Sequence, residues 1–315
     1  MSEFDAAATA TTNAGTKTGA TMKVVPLRHP GRWVTAVVLL ALVGLMLTSV
    51  ITNRRFEWNV VGRYLFNTHI LDGIALTLVL TVACMAIGIV LGTLLAVMRL
   101  SANPVARAVA GAYVGFFRGT PVLVQLLFWF NISALYPVIS FGIPGFALNA
   151  NTIITPIVAA ILGLGLNEAA YTSEIVRAGI ISVDHGQVEA ARALGLTRGQ
   201  TLVRVVLPQA MAVIVPPTGN EVVGMLKTTS LVSVLAVGEL LYSAQLIYSA
   251  NFQTIPLLLV ASIWYLILTA VFSAGQYWVE RHYARGRMVV PPPLPGATLL
   301  RRFVVARGRD ERTAA

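Results

Sequence analysis

Uncharged apolar runs of bilayer-spanning length constrain this chain more than any other feature. Residues 33–52 carry no charge over 20 positions, 73–98 none over 26, and 119–167 none over 49. A hydrocarbon core about 30 Å thick needs roughly 20 apolar residues in helical form. In lipid the backbone must satisfy its own hydrogen bonds, so such runs fold as helices. Only 11% of the 315 residues are charged, against about 25% in soluble domains. That deficit excludes an ordinary soluble enzyme, and the hydrophobicity excludes a disordered chain. The expected fold class is all-α: a polytopic membrane protein with about six transmembrane helices.

Breaks in the runs place the expected elements. Residues 1–32 are rich in Ala, Thr and Gly and read as a disordered cytoplasmic tail. Residues 33–52 form an anchor helix, too long and too plainly ended for a signal peptide. Residues 53–71 mix Arg54, Arg55, Glu57 and Arg63 with Phe56, Trp58, Tyr64 and Phe66, which suits a periplasmic segment at the headgroups. Five further spans are expected at 73–98, 121–141, 153–176, 209–228 and 256–279. The Gly/Pro/Asn cluster 142–152 divides two of them, and Thr120-Pro121 marks a helix start near 121. Gly88-x-x-x-Gly92 offers a small-residue face for close packing. Cys84, the one cysteine, reads as a small packing residue. Residues 283–315, with PPPLP and most of the last arginines, read as a disordered basic tail.

Net charge is +10, and its placement sets orientation. Cytoplasmic loops concentrate Lys and Arg. With the N-terminus inside, the segments 1–32, 99–118, 176–208 and 281–315 hold four, three, four and eight basic residues. The opposite-side segments hold only Arg54, Arg55 and Arg63. Both termini are therefore expected in the cytoplasm, and nucleic acid is not an expected partner.

The cytoplasmic stretch 182–208 is too polar to span. Val188, Ala191 and Leu194 oppose Gln187, Glu189 and Arg192, as in a short amphipathic helix. Gly195 then permits a left-handed elbow. Thr197 caps a second short helix, which leads through Leu202, Val203, Val205 and Val206 to Leu207-Pro208. Such a knob suits a groove on another protein.

The run Glu189-Ala190-Ala191, three residues, Gly195, nine residues, then Val205-Val206-Leu207-Pro208 resembles the EAA signature of ABC importer permeases, differing by Val205 for Ile. The stretches 77–82, 116–126 (FFRGTPVLVQL), 170–180 and 219–234 are similar to the polar amino-acid permeases of that superfamily. The resemblance implies a type I permease domain over 72–282, with a five-helix core that excludes the anchor helix and the tails. It implies a bacterial inner-membrane location and an amino-acid substrate. It implies a cytoplasmic ABC ATPase dimer, a second permease chain, identical or related, and an extracytoplasmic solute-binding protein. Glu189, Ala190, Ala191, Arg192, Gly195, Leu207 and Pro208 are then the expected ATPase-coupling residues.

No G-x-x-x-x-G-K-[ST] occurs, so ATP and Mg are expected in the partner ATPase and no cofactor in this chain. No catalytic constellation or metal-ligand spacing is found. Charges within spans are costly and face a bundle interior or a water path. Glu168, about 22 Å along the fourth span counted from Ile153, and Glu174 with Arg177 read as interfacial charges at the cytoplasmic end. Asn220, Glu221 and Lys227 in the fifth span are the substrate-path candidates, following Pro216-Pro217. Together they offer an acceptor for an ammonium and a donor for a carboxylate; a polar network holding helices together is the other reading. At six residues apart, Glu221 and Lys227 point about 120° away from each other. An ion-gradient-driven transporter is the alternative function, since broken helices and buried charges fit it too.

Overall fold

A computed structural model describes residues 30–140 and 148–284. The tails outside 30–284 and residues 142–147 of the 142–152 divider lie outside the described residues.

The chain separates into two units, 1–56 and 57–315. In the first, α1 (Pro30–Thr52) is followed by one 3-10 turn, Arg54–Phe56. Its apolar part, Trp33–Thr52, buries nothing within the protein. Thr48 and Thr52 each donate to the carbonyl four residues back, at 2.8 and 2.7 Å. A helix apolar on all sides, with its polar side chains bonded to its own backbone, is soluble in lipid as it stands.

The second unit begins with α2 (Trp58–Tyr64) and α3 (Thr68–Leu100). Asn67 caps α3 by accepting from the His69 N–H at 3.0 Å. Next come α4 (Pro104–Gly119), started by Asn103 and Pro104, α5 (Val122–Phe130) and α6 (Ile132–Leu135). A small antiparallel ribbon follows, with β1 (Val138–Ile139) paired to β2 (Leu148–Asn149), and then α7 (Ala150–Ile153). The expected third span at 121–141 is not one helix. It holds α5, α6 and β1, and α5 meets α4 at 102°, so α4 and α5 together make a broken span or a re-entrant loop.

α8 (Pro156–Ile181) opens at Thr155, whose hydroxyl accepts from the Val158 N–H, with Pro156 in the first turn. α9 (His185–Ala193) and α10 (Arg198–Thr201) lead through a π-helical turn, Leu202–Val206, into α11 (Leu207–Thr228). The separate second short helix expected before Pro208 is in fact continuous with the fifth span. Pro208 has no N–H for an i−4 bond, and the chain widens there, with the Leu207 N–H bonding Leu202 O. A 3-10 segment Thr229–Leu235, α12 (Leu240–Asn251) and α13 (Thr254–Ala284) complete the unit.

Among the described residues, four helical stretches are long and apolar enough to cross a membrane, or five if the bent α4–α5 pair is one span. α8, at 26 residues, has the length; it carries Glu168, Glu174 and Arg177, and those charges have a use described below. α3 lies along α8 through its small residues. A Cβ on Gly92 would fall 2.8 Å from Ala169 O, so the Gly88–Gly92 face serves the close approach that its spacing predicts. Around this pair Leu80, Cys84, Met85, Leu126, Leu164 and Met225 form the central core. Val79, Val82, Val90 and Leu94 of the same α3 are exposed, the arrangement of a helix that faces protein on one side and lipid on the other.

Candidate functional site: a charged cavity and an exposed elbow

The bend between α4 and α5 builds the first site. Pro121 disfavours helical backbone at Thr120, and Thr120 is extended. The last carbonyls of α4 are therefore left without helical donors. The Thr120 hydroxyl donates to Phe116 O at 2.9 Å, and two amides from elsewhere reach Phe117 O and Thr120 O. Gln125 Nε2 donates to Phe117 O at 3.0 Å, Thr120 O at 3.1 Å and the Thr120 hydroxyl at 2.8 Å. Asn167 Nδ2, on α8, donates to Phe117 O at 2.9 Å and to Gln125 Oε1 at 3.3 Å. The Thr-Pro pair, expected as a helix start, therefore does two jobs: Thr120 ends α4, and Pro121 precedes the first residue of α5.

The bend forms one wall of a cavity of about 470 Å³, within the range of small-molecule sites. Arg118, Thr120 and Pro121 line it from the bend, Asn167, Glu168 and Tyr171 from α8, and Glu221, Met225 and Thr228 from α11. Glu168 is 4% exposed. Its Oε1 accepts from the Thr172 hydroxyl at 2.9 Å, and its stem fills the space left by Gly88, where a Cβ would fall 2.4 Å from Glu168 Cγ. Among the described residues neither Glu168 nor Glu221 has an ion-pair partner. Arg118 lies 5.1 Å from the centre of the Tyr171 ring and 3.7 Å from Glu174. The start of α5 has no side-chain cap at Pro121, and Pro121 and Val122 line the cavity. The cavity thus carries one guanidinium, Arg118, and two carboxyl groups, Glu168 and Glu221.

Of the three substrate-path candidates, only Glu221 lines this cavity. Asn220, one residue away and so about 100° around the helix, accepts from Gln276 Nε2 of α13 at 3.0 Å, and the same Nε2 reaches Glu280 at 2.7 Å. It belongs to the polar network that was the other reading. Lys227 is exposed and lies off the cavity wall, as its angular offset from Glu221 requires. Glu168, read as interfacial, is buried beside the cavity instead. Arg118, counted as a cytoplasmic loop marker, lines the cavity. Asn167 and Tyr171 were not singled out; a helical wheel of α8 phased on Glu168 would have put Tyr171, three residues on, on the same face. Glu174 and Arg177 do pair, with Arg177 Nη2 2.7 Å from Glu174.

The second site is the elbow. Asp184 caps α9 by accepting from the Gly186 N–H at 2.7 Å. The helix ends in a Schellman arrangement: the Gly195 N–H bonds Arg192 O at 2.9 Å and the Leu196 N–H bonds Ala191 O at 3.1 Å. Gly195 takes φ +80° there. Thr197 and Gln200 form a reciprocal capping box on α10. Glu189, Ala190, Arg192 and Gly195 are exposed, as are Leu194 and Pro208, whereas Ala191 is buried and Leu207 half-buried. The elbow is tied by these local hydrogen bonds, apolar at Leu194 and charged at Glu189 and Arg192.

Membrane-length helices, a polar cavity at a broken helix and an exposed elbow define a membrane-embedded solute-transport component. Residues 88–285 match the family described as binding-protein-dependent transport system inner membrane component, and the chain belongs to that family. It is 46% identical over 263 residues to the arginine transport system permease protein ArgU of Corynebacterium glutamicum, covering 83% of each chain. It is 34% identical over 233 residues to the glutamate/aspartate import permease protein GltK of Escherichia coli, covering 73% of this chain and 99% of that one. Among solved structures, an amino acid ABC transporter crystallised with histidines matches at 35% identity and a TM-score of 0.60, over 69% of this chain and 95% of its own. The methionine transporter MetNI shares the fold at 19% identity and a TM-score of 0.57. The chain is therefore the multi-pass, membrane-spanning permease component of an ABC importer, and the ion-gradient alternative is set aside.

Proposed function

We propose that this permease carries amino acids with a cationic side chain, and that the cavity between the α4–α5 bend, α8 and α11 is where they are held in transit. The observation that carries this is charge arithmetic. A cationic amino acid has one carboxylate, one ammonium and one cationic side-chain group. The cavity presents the inverse set: Arg118 for the carboxylate, and Glu168 and Glu221 for the two cations. Ionisable groups at membrane depth are expensive and are kept where they meet a charge of opposite sign. A broken helix whose N-terminus faces the anionic end of a solute is a recurring transporter device. The arginine permease of Corynebacterium glutamicum supports the same cargo class.

Energy comes from a separate ABC ATPase dimer, which binds ATP and Mg. Glu189, Ala190, Arg192 and Leu194 make the contact surface, Gly195 sets the elbow angle, Ala191 packs the elbow from within, and Leu207-Pro208 joins it to α11. Closure of the ATPases carries the elbow and rocks the spans between inward- and outward-open states. A second permease chain and an extracytoplasmic solute-binding protein complete the importer in the bacterial inner membrane, with both termini of this chain cytoplasmic.

The test is ATP-driven uptake in proteoliposomes holding the complex with its binding protein. Arginine or lysine uptake should exceed glutamate and glutamine uptake, and Glu221→Gln should lower uptake of the cations. Equal uptake of glutamate, or an unchanged preference in Glu221→Gln, would overturn the cargo assignment.

A further inference from the structure

Resting on that cargo reading, a second observation concerns how Arg118 is held. Glu174 gathers three arginines from three helices. Its Oε1 accepts from Arg99, at the end of α3. Its Oε2 accepts from Arg177 Nε at 2.9 Å and Nη2 at 2.7 Å. Arg118, at the end of α4, is the third, and it differs from the others. It stays 3.7 Å from Oε1, beyond hydrogen-bond distance. Among the described residues its guanidinium makes no hydrogen bond. Its side chain is 43% exposed, against 23% for Arg99 and 32% for Arg177. It leans on the Tyr171 ring and lines the cavity. Glu174 itself does not line the cavity.

We infer that Glu174 is a positioning residue that sets the cavity's affinity for the cargo carboxylate by competing for Arg118. In the empty cavity Arg118 is shared with Glu174 through a loose ion pair. A cargo carboxylate offers it two oxygens at hydrogen-bond distance and takes it over. Arg99 and Arg177 remain to neutralise Glu174, so Arg118 leaves without stranding a bare carboxylate. Cargo binding thereby releases the end of α4 from the cytoplasmic half of α8 at Glu174, eleven residues before α9 begins. Glu174 keeps the unloaded site weak for carboxylates and makes occupancy change a contact between two helices.

The sign of the effect separates this from a structural role. Equilibrium binding of arginine, and of agmatine, which lacks the carboxylate, is measured on the purified permease–ATPase complex in nanodiscs. Glu174→Gln is expected to bind arginine about two- to fivefold more tightly, the range of a partly exposed ion pair, with agmatine binding unchanged. Arg177→Gln leaves Glu174 less neutralised, so it is expected to weaken arginine binding by a similar factor and again to spare agmatine. Weaker or unchanged arginine binding in Glu174→Gln, or an equal change for agmatine, overturns the inference. If Glu174→Gln fails to assemble, Arg177→Gln decides alone, and unchanged arginine binding there overturns it. A wild-type complex that binds neither compound sinks the cargo reading itself, an outcome distinct from wild-type binding that the variants fail to move.

Discussion

At the scale of single residues, two glycines carry specific requirements. Gly195 holds φ +80° with open space around it, so the constraint is backbone conformation and not crowding. An L-residue in that region costs about 1–2 kcal/mol, and a β-branched one more. Gly195→Val is expected to insert in the membrane at normal levels and to lose most ATP-driven uptake, read by comparing membrane immunoblots with transport. Normal uptake would show that the elbow angle is not needed for coupling. Gly88 has the opposite constraint: a Cβ would meet Glu168 Cγ at 2.4 Å. Gly88→Ala should displace Glu168 and weaken cation binding. Unchanged cation binding in Gly88→Ala would mean the glycine serves helix packing alone.

At the scale of elements, the α4–α5 bend depends on side chains more than on its own backbone. Gln125 Nε2 alone reaches two carbonyls and a hydroxyl, and the residue is buried. Gln125→Leu keeps the volume roughly but leaves Thr120 O without its amide donor and Phe117 O with Asn167 alone, at about 1–3 kcal/mol for an unsatisfied buried group. The expected result is a lower unfolding temperature in detergent and displacement of Arg118 from the cavity wall, seen as weaker arginine binding. An unchanged melting curve would show that water replaces the amide. The stretch 121–141 is not one helix for a local reason: α5 ends at Phe130, and Asn131 and Tyr136-Pro137 break the apolar run into α6 and β1. The elbow, by contrast, was legible in detail: Gly195 as a left-handed cap and Thr197 as an N-cap are local rules written in adjacent residues.

At the scale of the molecule, the arginine map gives an orientation that can be checked directly. The single cysteine, Cys84, is fully buried, so it stays silent to membrane-impermeant thiol reagents. Arg192→Cys, exposed on α9, should label only from the cytoplasmic side. Phe252→Cys, 89% exposed in a stretch without Lys or Arg, should label only from outside. Labelling of both from one side would refute the topology. The charges inside the spans are organised on the same large scale. α8 carries Glu168, Glu174 and Arg177, and spends the first on the cavity and the other two on a tie to α3 and α4.

The sequence by itself determined the membrane class and the elbow, and its basic residues set the sidedness that the labelling would test. Each depends on the local free energy of placing apolar runs, basic residues or special backbone angles, and neighbours in sequence suffice to read it. Which charges share a site was decided only by tertiary structure. Arg118, Glu168 and Glu221 are separated by some fifty residues at each step and meet because α4 bends at Pro121 and α8 lies close on α3. Asn220 and Lys227 sit beside Glu221 in sequence and miss the cavity, because a helix turns about 100° per residue and one wall can take only one face of it.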